Sequence, residues 1–241
     1  MAKRKKSKSG WNIIFPIIFI LGVLLVFLLV KTQFKKSSPN QFKALPTSFY
    51  SYGIDVSHYQ GKINWNKVIK GDSSISFVYC KATEGLELID RRWKQNREEL
   101  KQLKAPHGAY HFFRPKLSAK EQANHFLKNY QSIQSDLPPV LDAETIEVSN
   151  TQLILAMKIW LEIVEKKTGK RPLIYTSYHM YSTFLKEAFK DYKFWVANYT
   201  YVPSRFNDEQ ILHWQFTDQG KVNGIKGNVD VNFSKINFTG V

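Results

Sequence analysis

The chain has 241 residues, 43% hydrophobic and 15% aromatic, enough for one barrel-sized domain with a packed core and too apolar for bulk disorder. Its formal charge of +15 is uneven: residues 1–36 hold eight Lys or Arg and no acid, which leaves +7 for the rest. Cys80 is the only cysteine, which excludes an intrachain disulfide and offers no Cys pair for zinc, so no metal site is expected.

The first 50 residues are expected to set topology. No charge falls between Lys8 and Lys31, and residues 11–30 are almost wholly apolar. About 20 residues at roughly 1.5 Å each span the hydrocarbon core of a bilayer. Lys3, Arg4, Lys5, Lys6 and Lys8 place the N-terminus in the cytoplasm and all that follows the span outside, on the periplasmic or cell-wall side. Lys31, Lys35 and Lys36 oppose this orientation weakly. A cleaved signal peptide has a shorter apolar core and a small-x-small site, and Leu28-Leu29-Val30-Lys31-Thr32-Gln33-Phe34 contains none. A basic run beside a span sets orientation, so nucleic acid is not an expected partner. The expected organisation is a basic tail (1–10), a transmembrane anchor (11–30), a linker (31–50) and a folded domain (51–241).

Eight short apolar stretches follow, at 52–56, 75–80, 108–113, 139–142, 173–176, 194–197, 211–216 and 228–231. Most are too short for helices and are bounded by Gly, Pro, Asn or Ser, so strands are expected. Helices are expected between the earlier ones, at 65–69, 92–103 and 178–189. Ser118-Ala119-Lys120-Glu121 has the form of a capping box opening a helix toward Tyr130. Ser149-Asn150-Thr151-Gln152 is a second; after it Leu153, Met157, Trp160 and Val164 recur at helical spacing until Gly169 stops the run. Beyond Thr200 no long amphipathic helix is visible, so the last strands should follow one another directly. This pattern gives an α/β fold. Cys80 follows Phe77-Val78-Tyr79 and reads as a buried apolar residue rather than a nucleophile.

Two segments carry the chemistry. Tyr52-Gly53-Ile54-Asp55-Val56-Ser57-His58-Tyr59-Gln60-Gly61 and Val140-Leu141-Asp142-Ala143-Glu144 each put an acid at the end of an apolar strand, where a barrel enzyme keeps its catalytic groups. Asp142 and Glu144 stand two apart, so on a strand they point to one face. A facing pair of carboxylates is the minimum equipment for cutting a glycosidic bond. With Lys81-Ala82-Thr83-Glu84-Gly85, Gly108-Ala109-Tyr110-His111-Phe112, Trp214-Gln215 and Val229-Asp230-Val231-Asn232, these segments resemble glycoside hydrolase family 25, whose members are lysozymes that cut peptidoglycan. The resemblance runs from about Tyr52 to Phe233. It implies a TIM-like irregular (β/α)5(β)3 barrel and hydrolysis of the β-1,4 bond between N-acetylmuramic acid and N-acetylglucosamine, with no cofactor. A non-catalytic peptidoglycan-binding protein, and a glycosidase acting on another amino-sugar polymer such as chitin, stay open as alternatives. No protein partner is indicated.

By the same resemblance Glu144 is the general acid, its pKa expected to be raised by a nearby carboxylate and partial burial. Asp142 assists, either attacking the anomeric carbon or orienting the N-acetyl group of the substrate. Asp55 is a third catalytic carboxylate; its alternative is an Asx turn with Ser57 or His58. Asp230 ends the last strand, which neighbours the first in a closed barrel. The two should lie close, with one protonated or both hydrogen-bonded. Tyr110, Tyr175, Trp214 and Gln215 are expected to bind sugar, the aromatics by stacking and the polar tips through hydroxyls. By the period of two, Tyr110 and Phe112 share one strand face and His111 and Phe113 the other. Glu84, beside Gly85, is a further candidate for substrate binding or for anchoring a loop.

Overall fold

The computed structural model describes residues 49–71, 75–133, 136–200 and 203–238. The basic tail, the apolar segment 11–30 and nearly all of the 31–50 linker lie outside them. Among the described residues no helix is long and apolar enough to cross a membrane.

All eight expected strands form. They are β1 (Ser51–Val56), β2 (Ile75–Glu84) with its short hairpin partner β3 (Leu88–Ile89), β4 (His107–Phe112), β5 (Val140–Asp142), β6 (Leu173–Ser177), β7 (Phe194–Ala197), β8 (Ile211–Gly220) and β9 (Val229–Ser234). Hydrogen bonding runs β1-β2-β4-β5-β6-β7-β8-β9 and returns to β1, which closes the sheet into a barrel. The strands are parallel from β1 round to β8, and β9 is antiparallel to both its neighbours.

Parallel neighbours need crossovers, and helices supply the first five: Trp65–Lys70, Trp93–Gln102, Ala119–Tyr130, Asn150–Thr168, and a last one that runs from Tyr178–Met180 through a π-helical turn, Tyr181–Leu185, into Lys186–Ala188. After β7 there is only the 3-10 turn Pro203–Phe206, and β8 joins β9 without a helix. The expected (β/α)5(β)3 order is therefore the one found.

The 150–168 helix shows how sequence sets these elements. Ser149 and Gln152 cap each other reciprocally, and Gly169 ends the helix at φ +67°. Leu153, Met157, Trp160 and Val164 are fully buried; each such side chain contributes about 1.5–3 kcal/mol of apolar burial. Ser118 accepts from the Glu121 N–H, but the Glu121 side chain makes no return bond, so that expected box is only half formed.

Period-two alternation sorts the barrel interior into layers. A lower layer of Phe77, Tyr79, Val140, Leu173 and Trp195 fills the lumen. The Phe77 ring lies so close to β1 that a Cβ on Gly53 would collide with it. One step higher on the same strand faces stand Asp55, Lys81, Tyr110, Asp142, Tyr175 and Gln215, which line an open cleft. The C-terminal ends of the parallel strands are thus polar over an aromatic floor.

The outer face is packed against helices. Cys80 is buried there and desolvation pushes its thiol pKa up, in keeping with a non-nucleophilic role. His107 and His111 stand four residues apart on β4, but each ring has its own protein partner. His107 Nδ1 donates to the Ala105 carbonyl (2.8 Å), while the His111 nitrogens meet Thr83 Oγ1 (2.7 Å) and Gln122 Oε1 (3.2 Å). No group of three potential metal ligands occurs among the described residues.

Candidate active site

The cleft above the aromatic floor has a volume of about 190 Å³, and four carboxylates reach it: Asp55, Asp142, Glu144 and Asp230. They come from β1, the end of β5 and β9.

Asp142 is the last residue of β5, and the Ala143 N–H donates to the Tyr175 carbonyl (2.9 Å), so the extended run continues one residue further. That continuation keeps Glu144 on the face of Asp142 and lets the two carboxyls hydrogen-bond. Burial is divided unequally between them. Asp142 is 5% exposed, whereas Glu144 lies open to the cleft. The partial burial expected of Glu144 therefore falls on Asp142. Desolvation first, and then the Glu144 charge, raise the Asp142 pKa well above the usual carboxylate range. Asp142 is the member of the pair whose charged form burial disfavours, and Glu144 is the member that a ligand can touch.

Asp55 and Asp230 are direct cross-strand partners on β1 and β9. Asp55 Oδ2 accepts from Asn232 Nδ2 (2.8 Å) and Gln215 Nε2 (3.0 Å). Each amide is itself oriented from behind. Asn232 Oδ1 accepts from Trp195 Nε1 (2.8 Å), and Gln215 Oε1 accepts from Tyr175 Oη (2.8 Å) and Tyr199 Oη (2.9 Å). Both amides can therefore only donate toward Asp55. Burial lifts the Asp55 pKa to about 6 despite these two bonds. Burial and then the charge of Asp55 lift Asp230 to about 8, so Asp230 carries the proton and bonds Asp55. The Asx-turn alternative for Asp55 fails, because the Ser57 N–H donates to Gln60 Oε1 and the His58 N–H to Asp90 Oδ2.

Tyr110, Tyr175 and Gln215 line the cleft. Trp214 does not. It precedes Gln215 on β8 and so points out of the barrel, where its ring is fully buried and stacks on Phe206 at 3.8 Å. Its role is packing, and the sugar-stacking expectation is corrected. Of the two roles open to Glu84, the structure favours anchoring over substrate binding. The β2–β4 register slips between Lys81 and Thr83, and Glu84 ends up outside the cleft lining, paired with Lys81 (2.6 Å) and with Arg114. Burial favours its neutral form, but the hydrogen bonds from these two cations lower its pKa overall. Glu84 anchors the end of β2.

Four contributors were not singled out from sequence. Lys81 lies in the cleft, 9% exposed in its side chain, 4.9 Å from the Phe112 ring centroid, and its charge partly offsets the raised Asp142 pKa. Asn232 and Tyr199 complete the Asp55 network. Asp90 accepts from His58 at both its backbone N–H (2.9 Å) and Nδ1 (2.7 Å), which fixes the 57–61 turn and leaves Tyr59 83% exposed at the rim. The motifs contained Lys81, His58 and Asn232, but only closure of the barrel shows what they touch.

The same arrangement of strands occurs in known proteins. The sequence model of glycosyl hydrolases family 25 matches residues 54–225. The uncharacterized protein YegX of Escherichia coli K12 is 40% identical over 193 residues, covering 78% of this chain and 71% of that protein. Lysozyme M1 of Streptomyces globisporus is 35% identical over 199 residues, 75% of this chain and 66% of that one. Among solved structures, a family 25 glycosyl hydrolase from Bacillus anthracis superposes with a TM-score of 0.72 at 27% identity, over 78% of this chain and 90% of that one. The bacterial lysozyme from Streptomyces coelicolor gives 0.68 at 33% identity, over 76% and 91%. A family match over most of the barrel, together with relatives of this identity and coverage, shows that the chain belongs to glycosyl hydrolase family 25.

Proposed function

We propose that the chain is a lysozyme-type glycosidase that hydrolyses the β-1,4 bond between N-acetylmuramic acid and N-acetylglucosamine in peptidoglycan. The observation that carries this reading is the Asp142–Glu144 pair at the barrel mouth, one acid buried and one open to the cleft. Glu144 gives its proton to the glycosidic oxygen as the bond to the anomeric carbon breaks. Asp142, buried and hydrogen-bonded to Glu144, favours the state in which the pair keeps one proton, and Glu144 is the member that delivers that proton to the substrate. A carboxyl whose charged form is disfavoured by burial is a poor nucleophile, which favours attack by the substrate's own acetamide oxygen, with Asp142 orienting that group. Water then opens the cyclic intermediate. Asp55, fixed by two amide donors, supplies the negative charge that steadies positive charge on the sugar ring.

The test uses the full chain and purified peptidoglycan, followed by borohydride reduction. New reducing ends are expected to be reduced N-acetylmuramic acid. Reduced glucosamine ends would assign a different bond, and an absence of new ends would leave only a binding protein.

The same reading places the domain outside the cytoplasm, held by the apolar segment 11–30. Its support is about 20 uncharged residues behind a basic tail. The full chain is expected to stay in the membrane pellet after a carbonate wash, and external protease should remove the domain from spheroplasts. A soluble product beginning near residue 34 would show cleavage instead, and a protected domain would reverse the topology.

A further inference from the structure

A second cavity, of about 740 Å³, adjoins the cleft and shares Glu144 and Tyr175 with it. Its remaining wall comes from the chain after β6, with Tyr178 and His179, from the chain after β7, with Asn198, and from Arg205 in the 3-10 turn. Glu144 is the only acid in this lining among the described residues.

Arg205 is unlike the other cations near the cleft. Its guanidinium sits 4.5 Å from the Tyr178 ring centroid and forms no ion pair among the described residues. The nearby acid Asp208 is already taken by Lys186 (2.6 Å) and the Tyr181 hydroxyl (2.7 Å). In the first cavity, by contrast, Lys81 is neutralised by Glu84. A neutral sugar needs hydroxyl partners, not an uncompensated cation. A planar fork braced on an aromatic face is suited to a carboxylate, which it binds through two parallel hydrogen bonds.

We infer that this cavity recognises a carboxylate carried by the sugar bound beside Glu144, with Arg205 as its specificity-determining residue. The inference rests on the muramidase reading and deepens it. Muramic acid differs from glucosamine by an ether-linked lactyl group on the ring. That group ends in a free carboxylate, or in an amide to a stem peptide that bears carboxylates of its own. Either source presents the same chemistry at the same place. Chitin-type polymers carry neither, so this contact separates the two substrate classes.

The test compares wild type, Arg205→Gln and Arg205→Lys as full chains, by equilibrium binding to three soluble ligands. These are N-acetylglucosaminyl-N-acetylmuramic acid with its lactyl carboxylate free, the same disaccharide carrying a stem dipeptide, and N,N′-diacetylchitobiose. Arg205→Gln is expected to reduce the preference for a carboxylate-bearing ligand over chitobiose by roughly 10- to 100-fold, the range for a hydrogen-bonded charge. Arg205→Lys, which keeps the charge and loses the fork, should fall between. Loss confined to the first ligand assigns the lactyl group, and loss confined to the second assigns the peptide. Equal weakening for all three ligands, or no weakening for any, overturns the inference. Neither result depends on turnover. A chain that fails to release muramic acid ends from peptidoglycan defeats the hydrolase reading, while the binding ratios still decide the cavity.

Discussion

Glu144→Gln is expected to lower kcat on peptidoglycan by about 10²–10⁴-fold, the usual contribution of a positioned general acid. The amide matches the carboxyl in shape but has no proton to give to the leaving oxygen. Because Glu144 is open to the cleft and forms no ion pair among the described residues, the change should leave folding and KM close to wild type. A substrate with an acidic phenol as leaving group needs little protonation, so it should recover most of the lost rate. Reducing-end release on both substrates is the measurement. Peptidoglycan turnover within a few-fold of wild type would remove Glu144 from the acid role. An equal loss on both substrates would mean that the residue positions the sugar instead.

The strand pattern makes most of this site legible in the sequence. Asp55 and Asp142 each follow a short apolar run, and a parallel barrel brings such strand ends to one mouth; Asp230 was expected at the end of the last strand but reaches the same mouth from the start of β9, because that strand runs antiparallel and pairs Asp230 with Asp55. The five helices were readable because their caps and stops are local, as Ser149, Gln152 and Gly169 show. What failed to show were contacts between residues distant in the chain. Asn232 reaches Asp55 across 177 positions and Gln215 across 160, and no local period encodes either. Trp214 was misplaced although the rule that places it was available. Adjacent strand residues face opposite ways, so Trp214 and Gln215 could not both line the lumen, and the larger apolar ring went to the side packed against Phe206. Glu84 stays open between two roles in the sequence for a different reason. Its partner Arg114 comes from the chain after β4, 30 positions away, and no local pattern announces that pairing.

Asp142→Asn is expected to cost about 10²-fold or more in kcat while making the protein more stable at neutral pH. The two effects have one cause. Burial and the Glu144 charge hold the Asp142 pKa well above the ordinary value of 3.8. Below about pH 4 folded and unfolded chains both bind this proton, and the residue costs nothing. As pH rises past 3.8 the unfolded chain ionises freely and the folded chain cannot, so stability is lost up to the folded-state pKa. Asn is never ionised and escapes that cost. The melting temperature of Asp142→Asn should therefore exceed wild type at pH 7, and the gap should close toward pH 3–4. Activity moves the other way because the amide cannot share a proton with Glu144. The basic limb of the kcat/KM profile belongs to the carboxyl pair, and losing one negative charge should move it to lower pH. Thermal melts and pH–rate profiles of the two proteins check both halves. A lower melting temperature at pH 7 would show Asp142 to be a structural acid. An unmoved basic limb would show that the two carboxyls titrate independently, and the shared-proton account of the site would be wrong.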